Sequence, residues 1–449
     1  MIDQQGLNAL IASAEARFIQ SNPRAQALAA QAAQHWHNGV PFHWMLDWGT
    51  PFPLVVEQVQ GATLTSVDGQ QFDDFCLADT GAMFGHSPPA VAAALRHQAD
   101  RGLGYMLPGE DTLKVGALLS QRFGLPYWQV TTTASEANRA VIRWCRGITE
   151  RRKILIFNGC YHGAVDDVFV DLQDGAPRLR PSLIGQVADP RQDTIVIEFN
   201  DLPALQAALN RGDIACVLAE PVMTNVGMVL PDPGYWATAS AMIRAAGTLL
   251  IFDETHCISS GPSGESGRIG IAPDIFVIGK AIAGGVPAAA YGFSAEIAAA
   301  MDRVQRDRPP GHSGIGTTLS ANALAMAAMR AMLEQVITPE NYARMLPLAD
   351  RLVTGLREVI ARHRLKWHVA HVGARVEFIC SPNPPRNGTE ARAAMQGQLE
   401  HFIHLYLINR GLLLAPFHNM ALISPATTTA QVDRLIAGVD GLAAIVSGA

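Results

Sequence analysis

Short apolar runs alternate with helical stretches through the middle of the chain. Each run is aliphatic or β-branched and is apolar on both faces. Strands of this kind form a mostly parallel sheet that helices cover on both sides. The pattern therefore predicts an α/β fold with a seven-stranded central sheet, its strands at residues 128–132, 153–157, 194–199, 215–218, 248–252, 275–278 and 288–293.

The residues on either side of this middle section have a different pattern. Residues 7–33 repeat apolar positions at helical spacing, which predicts one amphipathic helix or a pair of helices. Residues 54–75 alternate around the Asp-Gly turn at 68–69, which predicts a hairpin. Nearer the C-terminus we expect helices at 321–334, 341–363, 389–410 and 428–446, and strands at 369–380 and 411–415.

This organisation predicts two domains, which a chain of 449 residues is long enough to form. Residues 83–325 would form a large domain around the parallel sheet. A smaller α+β domain would combine an N-terminal helical and hairpin segment, residues 1–82, with the C-terminal residues 326–449.

Composition narrows the class of protein. Hydrophobic residues make up 49% of the chain and charged residues 16%, which is typical of a compact enzyme. The net charge of −6 argues against binding to nucleic acid or to an anionic membrane. The six cysteines are scattered without a CxxC pair, so we expect buried thiols and no metal site. We see no signal peptide and no membrane span, and expect a soluble, cytoplasmic protein.

Lys280 is the clearest candidate for chemistry. Ligands of an open parallel sheet bind beyond the carboxyl ends of its strands, and Lys280 follows the apolar run 275–278. Only four of the 34 lysine and arginine residues are lysines. An apolar setting favours the neutral amine, which can form a Schiff base with a carbonyl. A structural lysine whose ammonium reaches solvent is the alternative.

Three further features follow other predicted strands. Asp253 would be buried and need a cationic partner such as a protonated pyridine nitrogen, unless it caps a turn. Thr133 and Ser135 open a helix whose N-terminus could bind phosphate, unless they only cap it. Tyr161 and His162 could present an aromatic face, although packing is the better explanation for this pair taken alone. Together with Lys280, these features predict a site for pyridoxal phosphate.

The motifs that contain these residues resemble the class III, fold-type I aminotransferases, and within them the branch of the glutamate-1-semialdehyde aminomutases. The resemblance runs from about residue 53 to the C-terminus. Its motifs are QGATLTSVDG at 60–69, TASEA at 133–137, GCYHG at 159–163, EPVMTNVG at 220–227, FDE at 252–254, GKAIAGGVP at 279–287 and TLSANALAMAA at 318–328.

The resemblance implies the fold-type I architecture and a role for each matching residue. Lys280 would hold the cofactor as an aldimine and move the proton, Asp253 would bind the pyridine nitrogen, and Tyr161 would stack on the ring. Thr318 would reach the phosphate of the neighbouring subunit, which implies a homodimer with shared active sites. The remaining cofactor residues would be Thr133, Ala134, Ser135, His162, Glu220, Asn225 and Thr255.

Two departures from the family pattern lie in the cofactor site. The Ser-Gly-Thr phosphate turn of the family is Thr133-Ala134-Ser135 here, which is tolerable if Ala134 needs no positive φ. The Asp-Glu-Val of the family is Asp-Glu-Thr here, so Thr255 places a methyl and a hydroxyl under the ring.

A third departure concerns the substrate carboxylate. The aminomutases place an arginine in the loop before residue 53, and other class III enzymes place one near the C-terminus, but residues 35–52 and 416–423 contain none. Arg375 is our candidate for this role, with pairing to Glu377 on the strand face as the alternative. The other candidate substrate residues are Trp44, Met45, His418 and Asn419.

We therefore expect an aminotransferase that moves an amino group from an amine or amino acid to a carbonyl acceptor through pyridoxamine phosphate. A glutamate-1-semialdehyde-type 2,1-aminomutase is the alternative, and the fold also hosts decarboxylases and lyases. A non-catalytic protein that binds pyridoxal phosphate would not need both Lys280 and Asp253. A dinucleotide-dependent oxidoreductase would need a GxGxxG motif after an early strand, which is missing.

Overall fold

A computed structural model describes residues 3–306, 308–309, 311 and 314–448 of the chain. These residues form two compact units. The central unit contains Pro89–Pro339 and Pro385–Ala393, and the terminal unit contains 3–88, Glu340–Pro384 and 394–448. The smaller unit thus draws on both ends of the chain, as expected. The domain boundaries predicted after residues 82 and 325 remain predictions.

The central unit is built on a seven-stranded sheet. Its spatial order is β4, β12, β11, β10, β9, β5, β8, and β12 runs antiparallel to both of its neighbours while the other strand pairs are parallel. The predicted α/β fold with a mostly parallel sheet is confirmed. The strands are β4 Tyr127–Thr131, β5 Lys153–Phe157, β8 Thr194–Ile197, β9 Ile214–Ala219, β10 Leu249–Asp253, β11 Ile275–Ile278 and β12 Ala289–Phe293.

Side chains of the sheet pack into a separate core on each face. In β5, Ile154 and Ile156 belong to one core, and Leu155 and Phe157 belong to the other. Successive side chains of a strand point to opposite faces, so a strand covered on both sides must be apolar throughout. This explains why the runs lack the alternation of a half-exposed strand.

Helices of the central unit cover the sheet or continue the chain around it. A turn of π-helix at Met332–Val336 extends α10, so the helix predicted at 321–334 is present in a distorted form. The helices are α3 Pro89–Ala99, α4 Glu110–Phe123, α5 Ala134–Thr149, α6 Leu202–Leu209, α7 Tyr235–Ala245, α8 Gly264–Ile269, α9 Ala295–Arg306, α10 Ala323–Ala331 and α12 Gly388–Ala394.

The terminal unit combines two small antiparallel regions with long helices. β1, β2 and β3 form the hairpin region expected at 54–75, and β15 pairs in parallel with β3. Its elements are α1 Gln4–Ser21, α2 Pro23–Ala32, β1 Val56–Gln60, β2 Thr63–Ser66, β3 Gln71–Asp74, α11 Pro339–Arg362, β13 His368–Val372, β14 Arg375–Ile379, α13 Gly397–Ile408, β15 Leu412–Leu413, β16 Met420–Leu422 and α14 Thr429–Ser447.

Several predicted elements differ from the structure. The single strand expected at 369–380 is a hairpin, because Gly373 has a φ of +56° and turns the chain between β13 and β14. The helix expected at 389–410 is two helices, α12 and α13. Sequence analysis also missed β16 and a two-stranded hairpin formed by β6 Val170–Gln173 and β7 Ala176–Leu179.

All six cysteines are buried with free thiols, as predicted. Within the described part of the chain, every helix is too short or too polar to cross a bilayer. The cytoplasmic location stays a prediction.

Candidate active site

Asp253 is the last residue of β10 and lies at the carboxyl edge of the sheet. It is only 4% exposed, and its Oδ2 accepts from Asn138 Nδ2 at 2.8 Å and lies 3.0 Å from His162 Nδ1. Oδ1 accepts from the Thr255 N–H at 3.1 Å. Burial alone would raise the pKa of Asp253, but these hydrogen bonds and the charge of His162 outweigh it and lower the pKa. Asp253 is therefore an ionised carboxylate.

His162 is buried beside Asp253 in the loop that follows β5. Burial would lower its pKa, whereas Cys160 and the hydrogen-bonded Asp253 raise it, and the net shift is upward. Its Nε2 and the Asn138 Oδ1 are buried polar atoms for which the described residues offer no hydrogen-bond partner. Such atoms are uncommon inside a folded chain and are expected where a ligand or water completes the site.

The loop of Tyr161 and His162 lies against the start of α5. Ser135 Oγ accepts the Ala164 N–H at 3.0 Å, and a Cβ added to Gly163 would lie 2.2 Å from that Oγ. Gly163 also has a φ of +83°, so glycine is required here for two reasons. Tyr161 is half-buried in the same loop.

The first turn of α5 has the geometry of an anion site. Thr133 caps it, because its hydroxyl accepts the Glu136 N–H at 3.2 Å. The first N–H groups of a helix have no acceptor within the helix, which makes those of Ala134 and Ser135 available to a phosphate. Ala134 begins the helix and is not among the residues with positive φ, so its departure from glycine is tolerated.

Lys280 begins the turn after β11 and is half-buried. Its φ of +48° is a strained conformation for a residue with a Cβ. The preceding Gly279 approaches α5 so closely that an added Cβ would lie 2.9 Å from the Cβ of Ala134. The predicted Schiff-base lysine and the predicted phosphate turn are therefore neighbours.

A short segment after β10 contacts the residues around Lys280. The Thr255 hydroxyl accepts the Gly279 N–H at 3.2 Å, and His256 Nε2 lies 2.8 Å from Lys280 Nζ. Thr255 thus acts through its hydroxyl on the backbone next to the lysine. His256 was not among the predicted site residues, and its contact with Lys280 was not expected from the sequence.

Two more buried carboxylates follow strands of the same sheet. Glu220 follows β9 and accepts from the backbone N–H and the hydroxyl of Thr224 at 3.2 and 2.5 Å, and burial raises its pKa to about 6. Glu254 accepts the N–H groups of Glu265 and Ser266, and burial raises its pKa to about 7. Glu220 was among the predicted cofactor residues, whereas Glu254 had no predicted role.

Asn138 is another residue that sequence analysis missed. It donates to both Asp253 and the carbonyl oxygen of His162, so it links α5 to the loop after β5. A buried asparagine on the apolar face of a helix was the available signal. Asn225 is half-buried after Glu220, and Thr318 is exposed in the turn that follows Thr317, whose hydroxyl lies 3.1 Å from that of Thr132.

The predicted substrate residues all belong to the terminal unit, which is described by itself. Trp44 packs edge-on against Phe417, and Met45 is exposed beside it in the chain. His418 and Asn419 are buried in the turn before β16.

Arg375 is fully buried in β14, at 0% exposure. Its guanidinium donates to the Thr80 hydroxyl and contacts the Met420 sulfur. Glu377 pairs instead with His418, whose Nδ1 lies 2.8 Å from Glu377 Oε1. The role of Arg375 towards a substrate stays a prediction.

The residues of the central unit fit pyridoxal phosphate. An ionised, buried Asp253 complements a cationic ring nitrogen, the start of α5 offers N–H groups and the Ser135 hydroxyl to a phosphate, and Lys280 offers an amine to an aldehyde. The buried polar atoms of His162 and Asn138 that lack partners lie next to this carboxylate.

Comparisons with known proteins agree with this arrangement. The chain is 32% identical over 396 residues to a glutamate-1-semialdehyde 2,1-aminomutase of Bacillus cereus, covering 86% of this chain and 90% of that protein. A glutamate-1-semialdehyde aminomutase from Pseudomonas aeruginosa has a crystal structure that matches with a TM-score of 0.96 and 46% identity, covering 98% of both chains. A β-phenylalanine aminotransferase from Variovorax paradoxus matches with a TM-score of 0.87 and 26% identity over 97% of both chains.

The sequence model of the family described as aminotransferase class III matches residues 45–446. That range includes every residue of the central unit described above. The chain is therefore a member of the class III aminotransferases, with the fold-type I architecture and pyridoxal phosphate as its cofactor.

Proposed function

We propose that this chain is an aminotransferase that moves an amino group from an amine or an amino acid to a carbonyl acceptor. The observation that carries the proposal is the arrangement of segment 253–256. Asp253 is its buried, ionised carboxylate, Thr255 accepts a hydrogen bond from the Gly279 N–H, and His256 contacts Lys280. A site that only stores the cofactor does not require this link between Asp253 and the lysine.

Each group of the site has a task in such a reaction. Bound pyridoxal phosphate supplies an aldehyde carbon and an electron-withdrawing ring. Asp253 would hold the ring nitrogen in its protonated form, since an ionised carboxylate favours a cation. Lys280 Nζ would take the proton from the carbon that bears the amino group of the donor. Ser135 and the start of α5 would hold the phosphate.

A glutamate-1-semialdehyde-type aminomutase is the second candidate. Its support is the identity of 46% and 32% to proteins named as such aminomutases. Against it stands the sequence of the loop before residue 53, which has no arginine for a substrate carboxylate between 35 and 52. We therefore favour transfer between two molecules over transfer within one.

A donor panel tests the proposal. The purified, cofactor-loaded protein is titrated with amino acids, β-amino acids, simple amines and glutamate-1-semialdehyde, while the visible absorbance band is followed and the carbonyl product identified. We expect loss of the band with release of a ketone or aldehyde. Conversion of glutamate-1-semialdehyde to 5-aminolevulinate without a second carbonyl compound would establish the aminomutase instead.

Two lysine variants test whether Lys280 is the lysine that turnover requires. Lys280→Ala is expected to abolish turnover while some cofactor is retained. Lys114→Ala is the matched control, because Lys114 is exposed on α4, and its activity should equal that of the unaltered protein. A band that persists against every donor would favour a non-catalytic role in binding the cofactor.

We also propose a homodimer in which Thr318 reaches the phosphate bound by the neighbouring subunit. Thr318 is exposed and lies in the turn that Thr317 attaches to Thr132. Light scattering should give twice the mass of one chain, and Thr318→Ala should weaken cofactor affinity. A monomer that binds the cofactor normally would contradict this proposal.

A further inference from the structure

The contact between His256 and Lys280 has a chemical meaning beyond packing. His256 Nε2 and Lys280 Nζ are 2.8 Å apart, which is a full hydrogen-bond distance between two nitrogens. His256 is half-buried, so it keeps partial access to solvent in the single chain.

The backbone around His256 is fixed on both sides. The Glu254 N–H donates to the Val277 carbonyl oxygen at 2.8 Å, which ties the segment to β11. The Ile258 N–H donates to the Glu254 carbonyl oxygen at 2.9 Å, and the Ser259 N–H donates to that of His256 at 3.3 Å. His256 is therefore held opposite the lysine by the strand ends and not by a loose loop.

The titratable neighbours of His256 along the chain are directed elsewhere. Asp253 binds His162 and Asn138, and Glu254 binds the N–H groups at the start of α8. Cys257 donates its thiol hydrogen to the Val222 carbonyl oxygen at 3.4 Å. Across the site, His256 contacts the Lys280 side chain.

Proton counting limits what this pair can be. A lysine ammonium has only donors and no acceptor. A histidine that accepts from it at 2.8 Å must have an unprotonated Nε2, so the two side chains cannot both be cations in this geometry. The pair therefore holds one exchangeable proton between a basic amine and an imidazole, and an imidazole can pass it to water.

We propose that His256 is a positioning and relay residue that carries protons between Lys280 Nζ and solvent. The inference rests on the proposed function, in which Lys280 takes a proton from the substrate. There the C–H bond breaks, its electron pair stays with the carbon fragment, and an N–H bond forms at Nζ. An N–H bond of the resulting ammonium then breaks as His256 Nε2 takes the proton, and the opposite ring nitrogen releases a proton to water.

The test measures where the proton goes and not how fast the enzyme turns over. The cofactor-loaded protein is incubated in D₂O with a donor that reacts and with a carbonyl acceptor. The measured quantity is the deuterium gained at the reacting carbon of recovered donor, divided by the carbonyl product formed. A relay makes this ratio high, because substrate-derived protons are replaced by deuterons from solvent before they return.

Three substitutions at His256 distinguish a role in proton relay from a purely structural role. We expect His256→Leu and His256→Gln to lower the ratio by at least about tenfold, in line with the size of general acid–base effects. Glutamine can hold Nζ by a hydrogen bond but cannot exchange a proton. Added imidazole should restore the ratio in His256→Ala. His97→Gln, at an exposed histidine of α3, is the matched control and should leave the ratio unchanged.

The outcomes distinguish this inference from the proposed function. An unchanged ratio in His256→Leu, or a ratio in His256→Gln equal to that of the unaltered protein, would overturn the relay, even if turnover falls. A purely structural role of His256 would lower exchange and product together and leave the ratio constant. If the unaltered protein gives neither exchange nor product with any donor, the proposed function fails and the relay fails with it.

Discussion

Both units bury carboxylates, but Glu254, Glu220 and Asp253 of the central unit have different kinds of partner from Glu377 of the terminal unit. In the central unit, Glu254 accepts from the N–H groups of Glu265 and Ser266, and Glu220 accepts from Thr224. Asp253 accepts from Asn138 and from the Thr255 N–H and also pairs with His162. In the terminal unit, buried Glu377 pairs directly with buried His418, on the strand that also carries buried Arg375.

Glu254, Glu220 and Asp253 thus all have neutral donors, whereas the side-chain partner of Glu377 is a histidine. Neutral donors hold a carboxylate in place and leave most of its charge available to an external cation. A carboxylate that pairs with a buried cationic side chain compensates that cation, so its removal leaves the partner buried and uncompensated. The comparison therefore predicts loss of chemistry from substitutions in the central unit and loss of stability from substitutions in the terminal unit.

Asp253→Asn should give the largest effect. The amide cannot act as an anion towards a cationic ring nitrogen, so we expect turnover to fall by about a thousandfold, near the upper range for removal of one preorganised electrostatic group. The measurement is kcat with the best donor of the panel. Asp274→Asn is the matched control, because Asp274 accepts the Leu250 N–H near the opposite end of β10. Equal activity of the two variants would contradict the expectation that substitutions at the site of the central unit cost activity.

Glu377→Leu should mainly destabilise the terminal unit. Removal of the carboxylate leaves His418 and Arg375 buried without it, and we expect about 3 kcal/mol less free energy of opening for β13 and β14. Hydrogen exchange of these two strands measures the loss. The control is Asp433→Leu, in the exposed pair with Arg351, where the change should stay below about 1 kcal/mol. Similar exchange in both variants would show that burial of the pair has no such effect.

The smallest expected effect is an opposite response of the two units to pH. Burial raises the pKa of Glu254 from 4.5 to about 7 despite its N–H donors, and the nearby Glu265 adds to the shift. Its stabilising contribution is thus complete below pH 4.5 and is lost as the pH rises through 7. Burial, with His418 and His401, lowers the pKa of His404 from 6.5 to about 4, so its contribution is complete above pH 6.5 and is lost as the pH falls through 4.

Hydrogen exchange, corrected for the intrinsic dependence of exchange on pH, measures these opposite responses. Protection of α8 should decrease between pH 4.5 and 7, and protection of α13 should increase over nearly the same interval, each by on the order of 2 kcal/mol. Glu254→Gln and His404→Gln should each flatten only the response of their own unit. Parallel responses of the two helices would contradict the separate behaviour of the units.

The central sheet could be predicted from the sequence because burial on both faces restricts the residue type at every position of a strand. A strand buried on both faces must be apolar throughout, and all seven predicted runs coincide with strands. The hairpin at β13 and β14 was missed because Gly373 looked like a residue within a strand, and only its positive φ shows the turn. Helix α12 was joined to α13 because the two residues between them, Met395 and Gln396, include neither proline nor glycine to mark a break.

Residues of the candidate site could be predicted where the residue type and its position after a strand already indicate the chemistry. Lys280 and Asp253 stood out because a rare lysine and an aspartate each ended an apolar run. Asn138 and His256 were missed because each acts through a partner distant in the chain: Asn138 through Asp253, and His256 through Lys280. Spacing along the sequence does not encode such contacts.

The pairing of β3 with β15 has a consequence for synthesis of the chain. Asp73 and Leu412 are partners in this parallel pair, so the terminal unit cannot close its four-stranded sheet until nearly the whole chain has left the ribosome. Residues 89–339 emerge in between and can begin to pack their sheet first, because domains generally fold as their segments are completed. Until β15 arrives, the hairpin of β2 and β3 has an unpaired edge. The N-terminal segment is thus the part of the nascent chain whose sheet edge at β3 waits for a partner strand almost to the end of synthesis.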